Sequence, residues 1–553
     1  MFCVQCEQTQ HTDSVAGCAS ARGACGKDAA TADLQDILIR QIMGLAQYAV
    51  RARALGVTDQ ALEDFIQYGL FTTLTNVNFT PTRFTAMIER AEAIRSDIAA
   101  RWHDAARSRG VTVTDPAGPA AFRPAAGLDA LMAQAPEAAV NRDHERVGED
   151  VAGLRMLILY GMKGVAAYSH HARVQGYRDP AIDSAIDDIL AWLAEGPEDI
   201  EDLLAHALAV GQVNLKVMEL LDRANTGMFG TPVPTAVRIR PKAGKALLVS
   251  GHDLHDLAQI LEQTRDLGIN VYTHGEMLPA HGYPKLKAYP HLAGNYGGAW
   301  QDQQREFAAF PGPIVLTSNC LIEPDASYRN RIFTTGPVGW PGLRHIDDGN
   351  YAPVIAVARA MPGFKADGDD ATVTVGFGHD TVLGLADKVV GAVKSGAIRR
   401  FFVIGGCDGA KPGRNYYTEL ADSTPADTVM LTLGCAKYRF NTHDFGDIGG
   451  IPRLLDIGQC NDAHSALKIA GALAQAFECG VNDLPLSLMI SWFEQKATAV
   501  LLSLLAVGVK GIHLGPSLPG YLTPNLLAVL QSRFDLRVNG TPADDLKEAL
   551  AVH

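Results

Sequence analysis

A chain of 553 residues, 47% of them hydrophobic and 20% charged, has an ordinary globular balance and length enough for about three domains, because single cores stop growing near ~250–300 residues. Its net charge of −13, with no cluster of lysine and arginine, excludes a broad nucleic-acid-binding face. No run reaches the ~18 uninterrupted apolar residues of a membrane span, and the N-terminus carries neither the basic nor the apolar region of a secretory signal, so a reducing cytoplasm is the expected compartment.

In that compartment cysteines serve metal ligation or catalysis rather than disulfides. Four of the nine open the chain as Cys3-x2-Cys6-x11-Cys18-x6-Cys25, with Gly17, Gly23 and Gly26 letting the backbone wrap a compact cofactor. Thiolates are soft donors that suit zinc or an iron–sulfur cluster. Zinc sites usually pair two closely spaced cysteine couples. The wider second couple here favours iron–sulfur, and four cysteines alone leave [2Fe–2S] and [4Fe–4S] both open.

Helical periodicity follows. Thr31 to Leu55 repeats Leu34, Ile37, Leu38, Ile42 and Leu45 on one face, and Thr58–Leu74, Pro81–Gly110 and Glu149–Gly176 continue the pattern. The last is apolar on several sides and predicts a helix inside a bundle. Pro116–Gly127 reads as a loop, and Ile182–Ala224 supplies two more helices. Asn225–Gly244, rich in glycine and proline, reads as a linker.

Beyond it, short apolar runs alternate with helical patterns: Ala246–Ser250, Asn270–Thr273, Ile314–Thr317, Val373–Phe377, Phe401–Ile404, Val429–Thr432, Leu486–Ile490 and Gly511–Leu514. This alternation predicts parallel sheets covered on both faces, the doubly wound α/β class. The expected organisation is a helical unit over 1–225 and two α/β units over 226–365 and 366–553.

Potential metal ligands recur just past the ends of these strands. His252, Glu276, Cys320, Cys407 and Cys435 each close such a run, Glu494 follows Ile490-Ser491-Trp492-Phe493, and Cys460 sits in a glycine-containing loop. Open α/β sheets bind ligands in the crevice outside the carboxyl ends of their strands. Two facing sheets could bring all seven together. Four thiolates with one imidazole and two carboxylates is more than a plain cubane needs, and mixed ligation implies iron exposed to harder donors, with open positions for chemistry. Taken singly, each residue has a plainer reading, as a small buried hydrophobe, a turn cap or half an ion pair. Cys479, which follows a helix, keeps the plainer one. The turn Gly405-Gly406-Cys407-Asp408-Gly409 lacks the spacing of a dinucleotide loop.

Several strings are long and unusual: Met1-Phe-Cys-Val-Gln-Cys-Glu-Gln-Thr9, Thr75-Asn-Val-Asn-Phe79, Ser250-Gly-His-Asp253, Thr273-His-Gly-Glu-Met-Leu-Pro-Ala-His-Gly-Tyr-Pro284, Thr317-Ser-Asn-Cys320, Gly405-Gly-Cys-Asp-Gly409, Lys437-Tyr-Arg-Phe-Asn441, Gly458-Gln-Cys-Asn-Asp462 and Ser491-Trp-Phe-Glu-Gln-Lys496. On these the chain resembles the hybrid cluster (prismane) proteins along essentially its full length. The resemblance implies a helical domain followed by two Rossmann-like domains. It also implies a hybrid [4Fe–2O–2S] cluster held by His252, Glu276, Cys320, Cys407, Cys435, Cys460 and Glu494, with Cys407 as a persulfide and Lys496 beside the cluster. The N-terminal spacing resembles the subgroup of facultative anaerobes, which implies that Cys3, Cys6, Cys18 and Cys25 hold a [2Fe–2S] cluster, with [4Fe–4S] as the alternative.

The expected activity is reduction of hydroxylamine to ammonia and water, or of nitric oxide to nitrous oxide, as protection against nitrosative stress. Electrons would enter at the N-terminal cluster from an NADH-dependent flavin/iron–sulfur reductase. Glu494, Lys496 and His252 are the candidate proton donors, since N–O cleavage requires protonating the departing oxygen. A nitric oxide sensor or S-nitrosylating factor without steady turnover and a carbon monoxide dehydrogenase-like enzyme are the rival readings. A monomer is expected.

Overall fold

Aspartates cap four helices of the first half: Asp28, Asp59, Asp179 and Asp199 each accept from an amide of the first turn. In the computed structural model, which describes residues 1–12, 15–18 and 21–551, Asp28 accepts from the Thr31 amide at 2.7 Å and opens α1 (Ala29–Ala54). Asp59 does the same for α2 (Gln60–Thr72), and Pro81 occupies the first position of α3 (Pro81–Ser108), where its missing N–H costs nothing. Next come α4 (Leu128–Ala138), α5 (Glu149–Val174), α6 (Pro180–Ala194) and α7 (Ile200–Phe229). The expected all-round burial of α5 is observed: nearly every residue from Ala152 to Ser169 is buried. Among the described residues no helix is long and apolar enough to cross a membrane.

Two six-stranded sheets, parallel throughout, make up most of the remainder. The first contains β1 (Lys245–Ser250), β2 (Ile269–His274), β3 (Leu292–Asn295), β4 (Ile314–Leu316), β5 (Ile332–Thr335) and β6 (Arg344–Ile346), in spatial order 3-2-1-4-5-6. The second contains β7 (Arg400–Gly406), β8 (Thr428–Leu433), β9 (Leu454–Gly458), β10 (Leu486–Ser491), β11 (Ile512–Gly515) and β12 (Arg537–Val538), ordered 9-8-7-10-11-12. Both are the doubly wound order, with a switch point between the first and fourth strands of each sheet.

Two details differ from expectation. Val373–Phe377 does not join a parallel sheet; Thr372–Val375 pairs antiparallel with Thr235–Arg238 in a two-stranded ribbon. Its exposed threonines alternate with buried valines, the signature of a strand covered on one face. The segment read as a linker is also more ordered than its composition implies, since α7 runs on to Phe229 and the ribbon strand follows at once.

The helical half meets the second sheet through α9 (Gln495–Ala506), which follows β10 and α8 (Ala463–Ala476) in the chain and packs on α5 and α7. The approach is close enough to require glycine. A Cβ on Gly164 would lie 2.5 Å from the Gln495 carbonyl oxygen, and one on Gly211 would lie 2.1 Å from that of Leu502.

Candidate metal centre

The switch points of the two sheets face each other, and the chain turns there by one repeated device. A glycine in the left-handed region ends the strand and swings the next side chain inward: Gly251 (φ +123°) before His252, Gly275 (+63°) before Glu276, Gly406 (+106°) before Cys407 and Gly434 (+73°) before Cys435. After β4 the turn is longer, and Cys320 itself takes φ +73°. Glu494 caps α9, its carboxylate accepting from the Lys496 amide at 2.9 Å. Cys460, expected in a loop, in fact follows a strand end too. β9 went unread because Asp456 interrupts its apolar run, and buried Lys437 pairs with that carboxylate.

These turns converge. The imidazole Nε2 of His252 is 3.2 Å from Glu276 Oε2 and 3.0 Å from Lys496 Nζ, and Cys460 N–H donates to Glu276 Oε2 at 2.9 Å. One donor atom from each of His252, Glu276 and Cys460 fits within 4.8 Å of the others. Lys496 also donates to Asn319 Oδ1 at 2.9 Å and stands 3.8 Å from Glu494 Oε1. Cys407 and Cys435 pack with Cys320, Trp300 and Phe493. All but half-buried Cys320 are buried.

The electrostatics show what such a cluster requires. Burial pushes the thiols of Cys320, Cys407, Cys435 and Cys460 up, and the Glu276 carboxylate adds to each. Burial likewise raises Glu494 and, with Lys496, pushes His252 down to about 4. Burial would raise Glu276 too, but His252 and Lys496 hold it well below the usual carboxylate range. Four thiols and two carboxyls therefore crowd one dry space, with Lys496 the cation facing them. His252 Nε2 meets a carboxylate and an ammonium at once, and no single tautomer suits both. A cationic metal assembly resolves both conflicts by taking the nitrogen lone pair and replacing the thiol protons. The residues fit a mixed sulfur, nitrogen and oxygen metal centre.

The N-terminal cysteines form a second group. Cys18 N–H donates to the Cys3 carbonyl at 2.9 Å. Cys6 and Cys18 are buried, and Cys3 and Cys25 half-buried. Burial raises the Cys6 thiol, with Cys25 and Cys3 next in effect, so these sulfurs share one locality. Two buried lysines flank it: Lys27 donates to Gln35 Oε1 at 2.6 Å and Lys163 to Gln5 Oε1 at 2.9 Å. The two groups are linked by one backbone bond and one from a side chain. Glu7 N–H donates to the Phe493 carbonyl at 2.9 Å, and Gln495 Nε2 donates to the Gln5 carbonyl at 2.7 Å.

The Prismane/CO dehydrogenase family matches residues 1–547. The chain belongs to that family. It is similar to the hydroxylamine reductase of Acidithiobacillus ferrooxidans, 65% identical over 553 residues that cover 100% of this chain and 99% of the relative. The hydroxylamine reductase of Rhodobacter capsulatus is 53% identical over 558 residues and all of both chains. Among solved structures, the as-isolated nickel-free carbon monoxide dehydrogenase from Thermococcus sp. AM4 superposes with a TM-score of 0.56 at 17% identity, over 100% of this chain and 89% of that one. That likeness is one of fold.

In this member of the Prismane/CO dehydrogenase family, three further side chains hold the centre together without having been singled out by sequence. Gln459 Nε2 donates to the carbonyls of His252 at 3.0 Å and Glu276 at 2.7 Å, fastening one sheet's turns to the other's. Ser318 Oγ accepts from the His252 amide at 2.8 Å and sits 3.1 Å from its Nδ1, which orients the ring. Asn319 anchors Lys496. Ser318 and Asn319 lie beside Cys320 and Gln459 beside Cys460, and that adjacency was the only available signal.

Proposed function

We propose that the chain is an iron–sulfur oxidoreductase that reduces hydroxylamine to ammonia and water, consuming two electrons and two protons. The convergence of His252, Glu276, Cys320, Cys407, Cys435, Cys460 and Glu494 beside Lys496 carries this reading. Relatives 53% and 65% identical over the whole chain are named hydroxylamine reductases, which supports it. The seven residues would hold the hybrid [4Fe–2O–2S] cluster, with Cys407 as its persulfide. Cys3, Cys6, Cys18 and Cys25 would hold the electron-entry cluster, of the [2Fe–2S] type, fed by an NADH-dependent flavin/iron–sulfur reductase. When bound, the two clusters supply electrons and open iron positions.

The remaining work falls to side chains. Cys6 and Phe493 are joined through the Glu7 N–H···O=C bond, so the entry segment abuts the turn carrying Glu494. Lys496, buried and held in place by Asn319, is positioned to donate the proton that the departing oxygen requires. Burial and the N-cap bond to the Lys496 amide fix Glu494 next to it as a route for reprotonation. His252 is oriented by Ser318 and offers one nitrogen to the centre. Nitric oxide reduction to nitrous oxide at the same centre belongs to the same proposal.

Iron, nickel and acid-labile sulfide analysis with electron paramagnetic resonance, run beside hydroxylamine-dependent oxidation of a reduced dye, tests the reading. Two distinct iron–sulfur signals, no nickel and steady turnover are expected, with turnover lost in Cys407→Ala. A protein that holds nickel, or that binds nitric oxide but never turns over hydroxylamine, would overturn it.

A further inference from the structure

A polar cleft of about 380 Å³ lies between the two α/β units. One wall comes from residues 297–306, which follow β3 in the first unit. The other comes from the turns that follow β7 and β8, through Asp408, Tyr438, Arg439 and Asn441. Solvent reaches it past Arg240, Arg305 and Thr442, all exposed. Its floor is formed in part by Ala299 and Tyr438, which also pack with Cys407 and Cys435. Tyr438 Oη donates to the Gly275 carbonyl at 2.7 Å, one residue before Glu276. The floor of the cleft is therefore a wall of the candidate centre.

The charges lining this cleft are spent on partners of their own. Arg439 Nε lies 2.8 Å from Asp408 Oδ2, Arg305 Nη2 3.1 Å from Asp302 Oδ1, and Arg240 Nε 3.1 Å from Asp369 Oδ1. Glu306 accepts from the Gly298 amide at 3.1 Å and meets Arg305 at 3.6 Å. Two hydrogen-bond acceptors are left over. Gln301 Nε2 donates to Asp408 Oδ2 at 2.8 Å, and that bond fixes which way the amide faces. Its Oε1, like Asn441 Oδ1, is buried with no donor among the described residues.

A buried acceptor left without a donor is costly, so a pair of them in one cleft points to a donor that arrives from outside. With the ionic groups matched, the cleft selects for hydrogen bonding rather than for charge. Hydroxylamine suits it: small, largely uncharged at neutral pH, and rich in N–H and O–H donors. It can exchange its bonds to water for bonds to the walls without a dry step on the way. We propose that this cleft is the path by which hydroxylamine reaches the centre, with Gln301 and Asn441 accepting from it in transit. The inference deepens, and rests on, the reading that hydroxylamine is the substrate.

Gly298 supplies the means of testing it. A Cβ there meets nothing nearer than Glu306 Oε1 at 3.8 Å and the Tyr438 ring at 3.9 Å, so Gly298→Leu projects into the cleft with little strain. That variant should lower hydroxylamine kcat/KM about tenfold, with kcat within about twofold of wild type and the paramagnetic spectrum of the centre unchanged. Asn441→Leu removes an acceptor that has no partner, should raise KM about threefold, and serves if Gly298→Leu does not fold. Crystals of the holoenzyme soaked in O-methylhydroxylamine should show that compound beside Gln301 or Asn441. A cleft holding water only in those crystals overturns the proposal. So does an unchanged kcat/KM in the folded variants, or a fall in kcat as large as that in kcat/KM, which marks a damaged centre rather than a closed path. If the wild type never turns over hydroxylamine, the proposed function fails, and the soaked crystals still decide whether the cleft takes up such a donor.

Discussion

Single residues at this centre act through space they leave empty or charge they supply. Gly434 adopts φ +73°, and a Cβ there would lie 2.4 Å from the Gly406 carbonyl oxygen and 3.2 Å from Glu276 Oε1. Gly434→Ala must therefore shift both Cys435 and Glu276. The expected outcome is about a tenfold loss of iron from the candidate centre with any signal from the N-terminal cysteines retained, measured by iron analysis and paramagnetic resonance. Lys496 presents the opposite case, a charge without which Glu494 and Asn319 lose their partner. Lys496→Met should keep its iron and lose about 10²- to 10⁴-fold in hydroxylamine kcat, the usual cost of a missing proton donor. Full activity in that variant would remove Lys496 from the proton path.

At the scale of elements, α2 and α6 are joined by two carboxyl groups rather than a carboxyl and a cation alone. Burial pushes Glu63 up to about 7, and burial with Glu63 beside it pushes Asp187 well up, although Arg53 stands 2.9 Å from Asp187. Glu63 Oε2 and Asp187 Oδ1 have no partner among the described residues, as expected if one shared proton lies between them. The sign follows from the raised folded value. The pair's contribution is whole below the unfolded glutamate value of 4.5 and fades as pH rises through about 7. Thermal unfolding followed by circular dichroism should show the helical part losing on the order of 1–2 kcal/mol across that window, after allowance for the partial exposure of Glu63. Glu63→Gln should flatten the dependence.

For the whole molecule, one buried arginine ties the N-terminal segment to the end of a strand of the second sheet. Arg414 is buried, with Nη2 3.0 Å from Glu7 Oε2, Nη1 donating to Ser491 Oγ at 2.6 Å, and Nη2 donating to the Trp492 carbonyl at 2.8 Å. Arg414→Met leaves the Glu7 carboxylate buried without its cation. It should cost about 3–5 kcal/mol, read as a lower unfolding midpoint, and, on the proposed electron path, should slow reduction of the candidate centre more than it changes that centre's spectrum. An unchanged midpoint would show that the segment is held by the Glu7–Phe493 backbone bond and the Gln495 side chain without help from Arg414.

Sequence by itself determined the fold class and most of the strand ends, because buried parallel strands must be continuous apolar runs and the ligand-bearing turns must begin at their ends. It placed His252, Glu276, Cys320, Cys407 and Cys435 at such turns and Glu494 at a helix start. Tertiary structure decided the rest. Only packing supplies Lys437 to neutralise Asp456 and so lets Cys460 follow a strand, and only packing sets Gln459 across the two sheets.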